Sequence, residues 1–172
     1  MRSALAASIV AELTRRGQTL ASAESLTGGM LGALITDVPG ASASYLGGVI
    51  SYATSLKTTL AGVDEATLAK LGPVAARTAA EMARGVARRC NADWGLATTG
   101  VAGPEAQDGH PVGQVFIAVS DRSGEVLRVR ELSLHGDRAE IREQAAAAGL
   151  ALLAEALELD GVAAEVDDAN VP

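Results

Sequence analysis

A serine that follows a short apolar stretch and opens onto two glycines is the most suggestive residue of this chain. Glu24-Ser25-Leu26-Thr27-Gly28-Gly29 falls where the pattern passes from strand to helix. At such a junction a hydroxyl can face a cleft. The first backbone N–H groups of a helix have no partner within it and can hold an anion. One geometry would then supply a nucleophile, Ser25, and an oxyanion hole from the N–H groups around Thr27, Gly28 and Gly29. The same residues also suit a plain N-cap on a tightly packed turn, and the stretch alone leaves both readings open.

A serine hydroxyl needs a base. The two histidines sit outside any triad pattern: His110 is in a Gly-Pro-rich loop and His135 ends a strand. Both read as loop or surface residues. A lysine can replace histidine if burial lowers its pKa, since desolvation disfavours the charged form. Lys57 is the candidate. It follows the strand-like segment that carries Val49, Ile50 and Tyr52 and ends at Leu56; Val49, Ile50 and Leu56 suggest apolar surroundings that would bury it, and a tyrosine can relay a proton between serine and lysine. Taken singly, Lys57 also reads as a solvated charge and Tyr52 as a strand-filling aromatic. Thr54 stands three residues before Lys57, so this is not a Ser-x-x-Lys motif.

Two further stretches suit a ligand. Thr98-Thr99-Gly100-Val101-Ala102-Gly103-Pro104 is a strand end entering a glycine-rich loop, where backbone can approach a bound molecule. It is neither G-x-G-x-x-G nor a P-loop, so dinucleotide or triphosphate binding is not indicated. Arg138 and Arg142 share a face at the start of the last helix. Arginines beside free N–H groups suit a phosphate or carboxylate, and they suit pairing with Asp137, Glu140 or Glu143 equally. Nothing has metal-ligand spacing, and no cofactor is expected.

The elements that must position these residues follow from periodicity. Leu5, Ile9 and Leu13 predict a helix over 3–16, ended by Gly17. Residues 18–23 predict a strand, and the apolar segment to Ile35 a buried helix that Ser25 opens. Residues 46–53 predict a strand; 65–71 a short helix capped by Asp64; and 75–89 a helix burying Ala79, Met82 and Val86. Residues 93–99 predict a strand, and 113–120 with 125–134 a hairpin turning at Arg122-Ser123-Gly124. Asp137 and Glu140 form a capping box for a last helix whose Ile141, Ala145, Ala148, Leu152 and Ala156 share a face. Interleaved helices and strands with one hairpin predict a three-layer α/β/α domain, a single mixed sheet covered on both faces.

Composition narrows the function. At 172 residues and 48% apolar, one globular domain is expected, over 1–159. Net charge is −7, which argues against a nucleic-acid partner needing a basic stripe. Residues 160–172 carry Asp160, Glu165, Asp167 and Asp168 and no base, and read as a solvated, mobile tail. The lone Cys90 suits a reducing compartment. With no secretory signal and no run of about 18 apolar residues, a cytoplasmic protein away from membranes is expected. A homo-oligomer is compatible with all of this.

Together the stretches resemble the CinA C-terminal domain family, the nicotinamide-nucleotide amidohydrolases. The landmarks are AESLTGG at 23–29, TDVPGAS at 36–42, GGVISYATSLK at 47–57, TTGVAGP at 98–104, PVGQV at 111–115 and GDRAEIREQA at 136–145. They come in the family's order and cover about residues 5–158. The resemblance implies a three-layer α/β/α fold and a catalytic serine, tyrosine and lysine, here Ser25, Tyr52 and Lys57. It also maps a threonine of the glycine loop to Thr99 and an arginine of the last helix to Arg142. The implied reaction takes a small nucleotide substrate, nicotinamide mononucleotide, to nicotinic acid mononucleotide and ammonia. Departures are Leu26 where the family often has cysteine, Thr54 where it often has asparagine, and a loop, 105–110, that replaces a run of glycines and serine. The family also occurs fused behind a larger nucleotide-pyrophosphatase-like domain, for which this sequence has no room. Two rivals stand beside this reading: a Ser-Lys amidase acting on another small amide, and a non-catalytic module binding a nucleotide or partner.

Overall fold

Helix α1 (Arg2–Arg16) leads into strand β1 (Leu20–Glu24), helix α2 (Met30–Thr36), a 3-10 turn (Ala41–Ala43) and strand β2 (Tyr45–Ile50). Helices α3 (Thr54–Thr59), α4 (Glu65–Leu71) and α5 (Ala76–Arg89) precede β3 (Trp94–Gly100), and the hairpin β4 (Gln114–Asp121)–β5 (Leu127–Ser133) precedes α6 (Arg138–Ala156). This computed structural model describes residues 2–125 and 127–159. The expected acidic tail, 160–172, lies outside them.

The strands form one sheet in the order β2-β1-β3-β4-β5. β1 runs parallel to both β2 and β3, and β3–β4 and β4–β5 are antiparallel. Alternation along the strands divides the core in two. Val115, Ile117 and Val119 of β4 join Leu20, Leu96 and the apolar faces of α1, α2 and α6. Phe116 and Ala118 join Ala21, Ala23 and Ala97 against α5. Small residues on that second face let α5 lie close. A Cβ built on Gly95 would fall 1.9 Å from the Ala83 carbonyl oxygen of α5. The three-layer α/β/α arrangement is the one the interleaved pattern implies.

The boundaries differ from the pattern at three places that matter. β1 begins at Leu20 rather than residue 18, because the Thr19 N–H and hydroxyl both donate to the Asp93 carboxylate at the foot of β3. α2 begins at Met30; residues 25–29 form a turn with Gly28 and Gly29 at φ 60° and 102°, so Ser25 does not open the helix. β2 ends at Ile50, and Lys57 sits on the separate helix α3. Periodicity did not foresee a helix of six residues. The Asp64 cap and the Asp137–Glu140 capping box are both present.

From β1 the chain goes to β2 on one side and then crosses to β3 on the other. The carboxyl ends of these parallel strands flank a topological switch point, where open α/β sheets leave a crevice. Ser25 follows β1, Tyr52 and Lys57 follow β2, and Thr99 to Gly103 end β3 and start its loop.

Candidate active site

The turn after β1 is built around Glu24. Its carboxylate is buried and accepts the N–H groups of Gly29 and Leu31 at 3.0 Å and of Gly32 at 2.9 Å. Charge-assisted bonds of this kind offset the cost of burying an anion. They also consume the donors at the start of α2, so the expected anion site there is already filled by the protein's own side chain. The Gly28 N–H donates to the Ser25 carbonyl and the Met30 N–H to the Thr27 carbonyl. Gly28 and Gly29 are therefore not oxyanion donors, a correction to the sequence reading. Among the described residues, the N–H groups of Leu26 and Thr27 have no acceptor. The Ser25 N–H is fixed to the Thr98 carbonyl at 3.0 Å, which ties the turn to β3.

Lys57 reaches this turn from α3 and is 1% exposed. Its Nζ donates to Ser25 Oγ at 2.9 Å and to the Ser51 carbonyl at 2.9 Å. Among the described residues no carboxylate pairs with it. Burial pushes its pKa down from 10.5 to about 8, because the ammonium loses hydration that the neutral amine does not need. The burial has a different origin from the one expected: Ile50 and Leu56 are exposed. Lys57 instead shares a cleft with Pro73, Val74 and Val101. A lysine of this kind is partly neutral near pH 8 and can take the proton of the serine it touches.

The cleft holds about 180 Å³ and brings together Ser25, Tyr52, Lys57, Thr99, Gly100 and Arg138. It lacks a lining histidine. His110 Nδ1 pairs with Gln114 Oε1 at 2.8 Å, and His135 is exposed. Tyr52 is 61% exposed at the cleft mouth, where its hydroxyl accepts from Arg138 at 2.9 Å. It does not stand between Ser25 and Lys57, which touch directly, so the proton relay through Tyr52 is corrected. Arg138 also donates to the Gly103 carbonyl at 2.6 Å, bridging the loop after β3 to the segment after β2.

Three further candidates serve the frame. Thr27 turns its hydroxyl to Thr98 Oγ1 at 2.8 Å, inside the fold. Thr99 donates to the Pro73 carbonyl at 2.6 Å and so sets the cleft wall. Gly100 is needed by β4, since a Cβ there would come 2.6 Å from the Gln114 carbonyl oxygen. Arg142 lies outside the cleft lining, with Nε on the Leu26 carbonyl at 2.9 Å and Nη2 on the Thr27 carbonyl at 3.1 Å. The helix start beside it is capped by Asp137, which accepts from Ala139 and Glu140. Arg142 is thus spent on backbone carbonyls away from the cleft, whereas Arg138 lines it.

Sequence reasoning missed Glu24, the Ser51 carbonyl and the Pro73–Val74 wall. An acid directly before a serine and three residues before a Thr-Gly-Gly turn was the one available signal, because a carboxylate there can reach helix N–H groups. Among the described residues no group of three or more histidines, cysteines or acids could hold a metal ion, and no helix is long and apolar enough to cross a membrane.

Comparison with known proteins gives a consistent result. The family description CinA C-terminal domain matches residues 2–157. A CinA-like protein of Frankia casuarinae is 51% identical over 141 residues, covering 82% of this chain and 32% of that protein. A CinA-like protein of a Nostoc species is 43% identical over 158 residues, covering 86% and 37%. The chain thus spans about a third of the length of these curated relatives. Among crystal structures, a competence-damaged protein (CinA) superfamily protein from Klebsiella pneumoniae superposes with a TM-score of 0.87 at 31% identity, covering 92% of this chain and 99% of that one. The competence/damage inducible protein CihA from Agrobacterium tumefaciens gives 0.86 at 32% identity, covering 90% and 94%.

Proposed function

This chain belongs to the CinA C-terminal domain family, and from that premise we propose that it hydrolyses the carboxamide of nicotinamide mononucleotide, with Ser25 as nucleophile and Lys57 as base. The observation that carries the reading is the 2.9 Å contact between Lys57 Nζ and Ser25 Oγ, made by a buried lysine with a lowered pKa. A structural lysine has no need of a serine partner and no gain from a dry, unpaired position.

The geometry supports the following cycle. Neutral Lys57 takes the Ser25 proton as Oγ bonds to the carboxamide carbon. The negative oxygen of the tetrahedral intermediate is held by the Leu26 N–H, a donor without an acceptor among the described residues, on a residue that lines the cleft. The C–N bond breaks as the Lys57 ammonium returns the proton to the departing nitrogen, and ammonia leaves. Water then gives a proton to Lys57 and attacks the ester carbon. Oγ departs, regains its proton from Lys57, and nicotinic acid mononucleotide is released. General base catalysis of this kind contributes about 10²–10⁴-fold.

The nucleotide's phosphate is assigned to Arg138, whose guanidinium lies at the cleft mouth and, among the described residues, meets neutral partners, the Tyr52 hydroxyl and the Gly103 carbonyl. A dianionic phosphate is a stronger acceptor than either. The unpaired Cys90 suits a reducing compartment, and we place the activity in the cytoplasm.

The test is ammonia release from a panel of nicotinamide mononucleotide, nicotinamide riboside, nicotinamide and a simple aliphatic amide. The mononucleotide is expected to be the preferred substrate, and Ser25→Ala to be inactive and folded. Preference for another amide would replace the substrate. Activity in a folded Ser25→Ala protein would end the mechanism.

A further inference from the structure

Two opposite charges line the cleft without meeting. Arg138 reaches it from α6 and Glu105 from the loop after β3. Arg138 donates to the Gly103 carbonyl and the Tyr52 hydroxyl, not to Glu105. Among the described residues the Glu105 carboxylate meets no cation and no hydrogen-bond donor, and Glu105 is the one acid of the cleft lining. It belongs to the segment 105–110, where the sequence departs from the family pattern. That segment is firmly built. Gln107 and His110 exchange backbone bonds of 3.1 and 2.8 Å. Asp108 and Gly109 between them have φ of 49° and 82°, the tight hairpin turn for which Asp-Gly is preferred. His110 pairs with Gln114, which donates to Glu131 at 2.7 Å, so the small hairpin is braced on β4 and β5.

We infer that Glu105 determines specificity for the substrate ring: its carboxylate offsets a positive charge on the ring nitrogen, so that the cleft selects N-substituted, cationic nicotinamides over neutral ones. The inference rests on the proposed substrate and names the feature of it that this chain reads. The carboxamide hangs from the ring by one bond, so a carboxamide carbon at Ser25 Oγ brings the ring into the cleft. Substitution at its nitrogen makes that ring a cation. The other charges of the lining, Arg138 and the protonated fraction of Lys57, are positive. Without Glu105 a cationic ring would meet like charges alone, which repel it. With it, one zwitterionic ligand answers both charges that the fold keeps apart: phosphate on Arg138 and ring on Glu105. Glu105 is exposed, so the contact is worth about fivefold in affinity, the upper end for an exposed ion pair.

The experiment reads binding without turnover. Ser25→Ala protein is titrated by calorimetry with nicotinamide mononucleotide and with its reduced form, which keeps the ribose, phosphate and carboxamide but has an uncharged dihydropyridine ring. The oxidised form is expected to bind about fivefold more tightly. Adding Glu105→Gln should weaken the oxidised form by that factor and leave the reduced form unchanged. Adding Asp108→Asn instead, which removes an acid from the same hairpin outside the cleft lining, should change neither. In the enzyme with Ser25 intact, Glu105→Gln should raise KM for the mononucleotide at unchanged kcat. Equal weakening of both forms would put Glu105 on the ribose and overturn the inference. Unchanged binding of the oxidised form, or an equal effect from Asp108→Asn, would overturn it too. Selective binding with no ammonia released by the wild type removes only the proposed reaction. Ser25→Ala protein that binds neither form overturns the proposed substrate and this inference together.

Discussion

Replacing Lys57 with methionine should remove activity and stabilise the fold at neutral pH. The folded pKa is about 8 against 10.5 for an unhindered lysine. That difference corresponds to about 3 kcal/mol of disfavoured charge in the native state. The sign follows from proton counting. Between about pH 8 and 10.5 the unfolded chain binds more protons than the folded one, so stability rises with pH in that window. Above it the stability is fully present; below about 8 the cost is complete and no longer changes. Methionine of similar length has no charge to desolvate, but it leaves the Ser51 carbonyl and the Ser25 hydroxyl without their donor. An unpaired buried acceptor costs about 1–3 kcal/mol. The Ser25 hydroxyl lines the cleft and can turn to water, so one acceptor's cost is subtracted: the net gain at pH 7 is about 0–2 kcal/mol, and it reverses near pH 10.5, where neutral lysine still donates. Urea denaturation of both proteins at steps from pH 6.5 to 10.5 measures this directly. A difference independent of pH, or a Lys57→Met protein less stable at pH 7, would refute the reasoning.

Arg138→Ala should raise KM for nicotinamide mononucleotide by at least tenfold and change KM for the riboside little, because the guanidinium at the cleft mouth is assigned to the phosphate. Steady-state kinetics on the two substrates checks it, and equal effects would refute the assignment. Gly95→Ala should destabilise by more than about 2 kcal/mol, since its Cβ would collide with the Ala83 carbonyl and α5 must lift from the sheet. Thermal unfolding would show it, and a protein of unchanged Tm would mean that α5 is not seated as described.

The layered fold and both major caps were legible in the sequence because they rest on local rules. Apolar periodicity marks α1, α5 and α6, and Asp64 and Asp137 stand where an N-cap side chain must be. Residue types made Lys57 only a candidate partner for Ser25, one that also read as a solvated charge, and the family resemblance singled it out, because the pair joins residues 32 positions apart through the β1–β2 crossover. Two errors share one physical cause. The N–H groups of the α2 start and the guanidinium of Arg142 looked available because sequence shows donors without showing acceptors. The fold spends them on Glu24 and on the carbonyls of Leu26 and Thr27. Lys57 was expected to be buried by its strand neighbours. It lies buried instead in the cleft beside Pro73, Val74 and Val101, reached from a short helix whose six residues carry no periodic signal.

The pH dependence of kcat/KM for ammonia release from nicotinamide mononucleotide tests the central claim most directly. This quantity reports the ionisations of the free enzyme. Above pH 6.5 the substrate phosphate, with a second pKa of about 6, is largely dianionic. With Lys57 as base, kcat/KM should climb about tenfold per pH unit at low pH and level off above a midpoint of about 8. A flat profile, a midpoint near the ordinary histidine value of about 6.5, or no ammonia at any pH would contradict it.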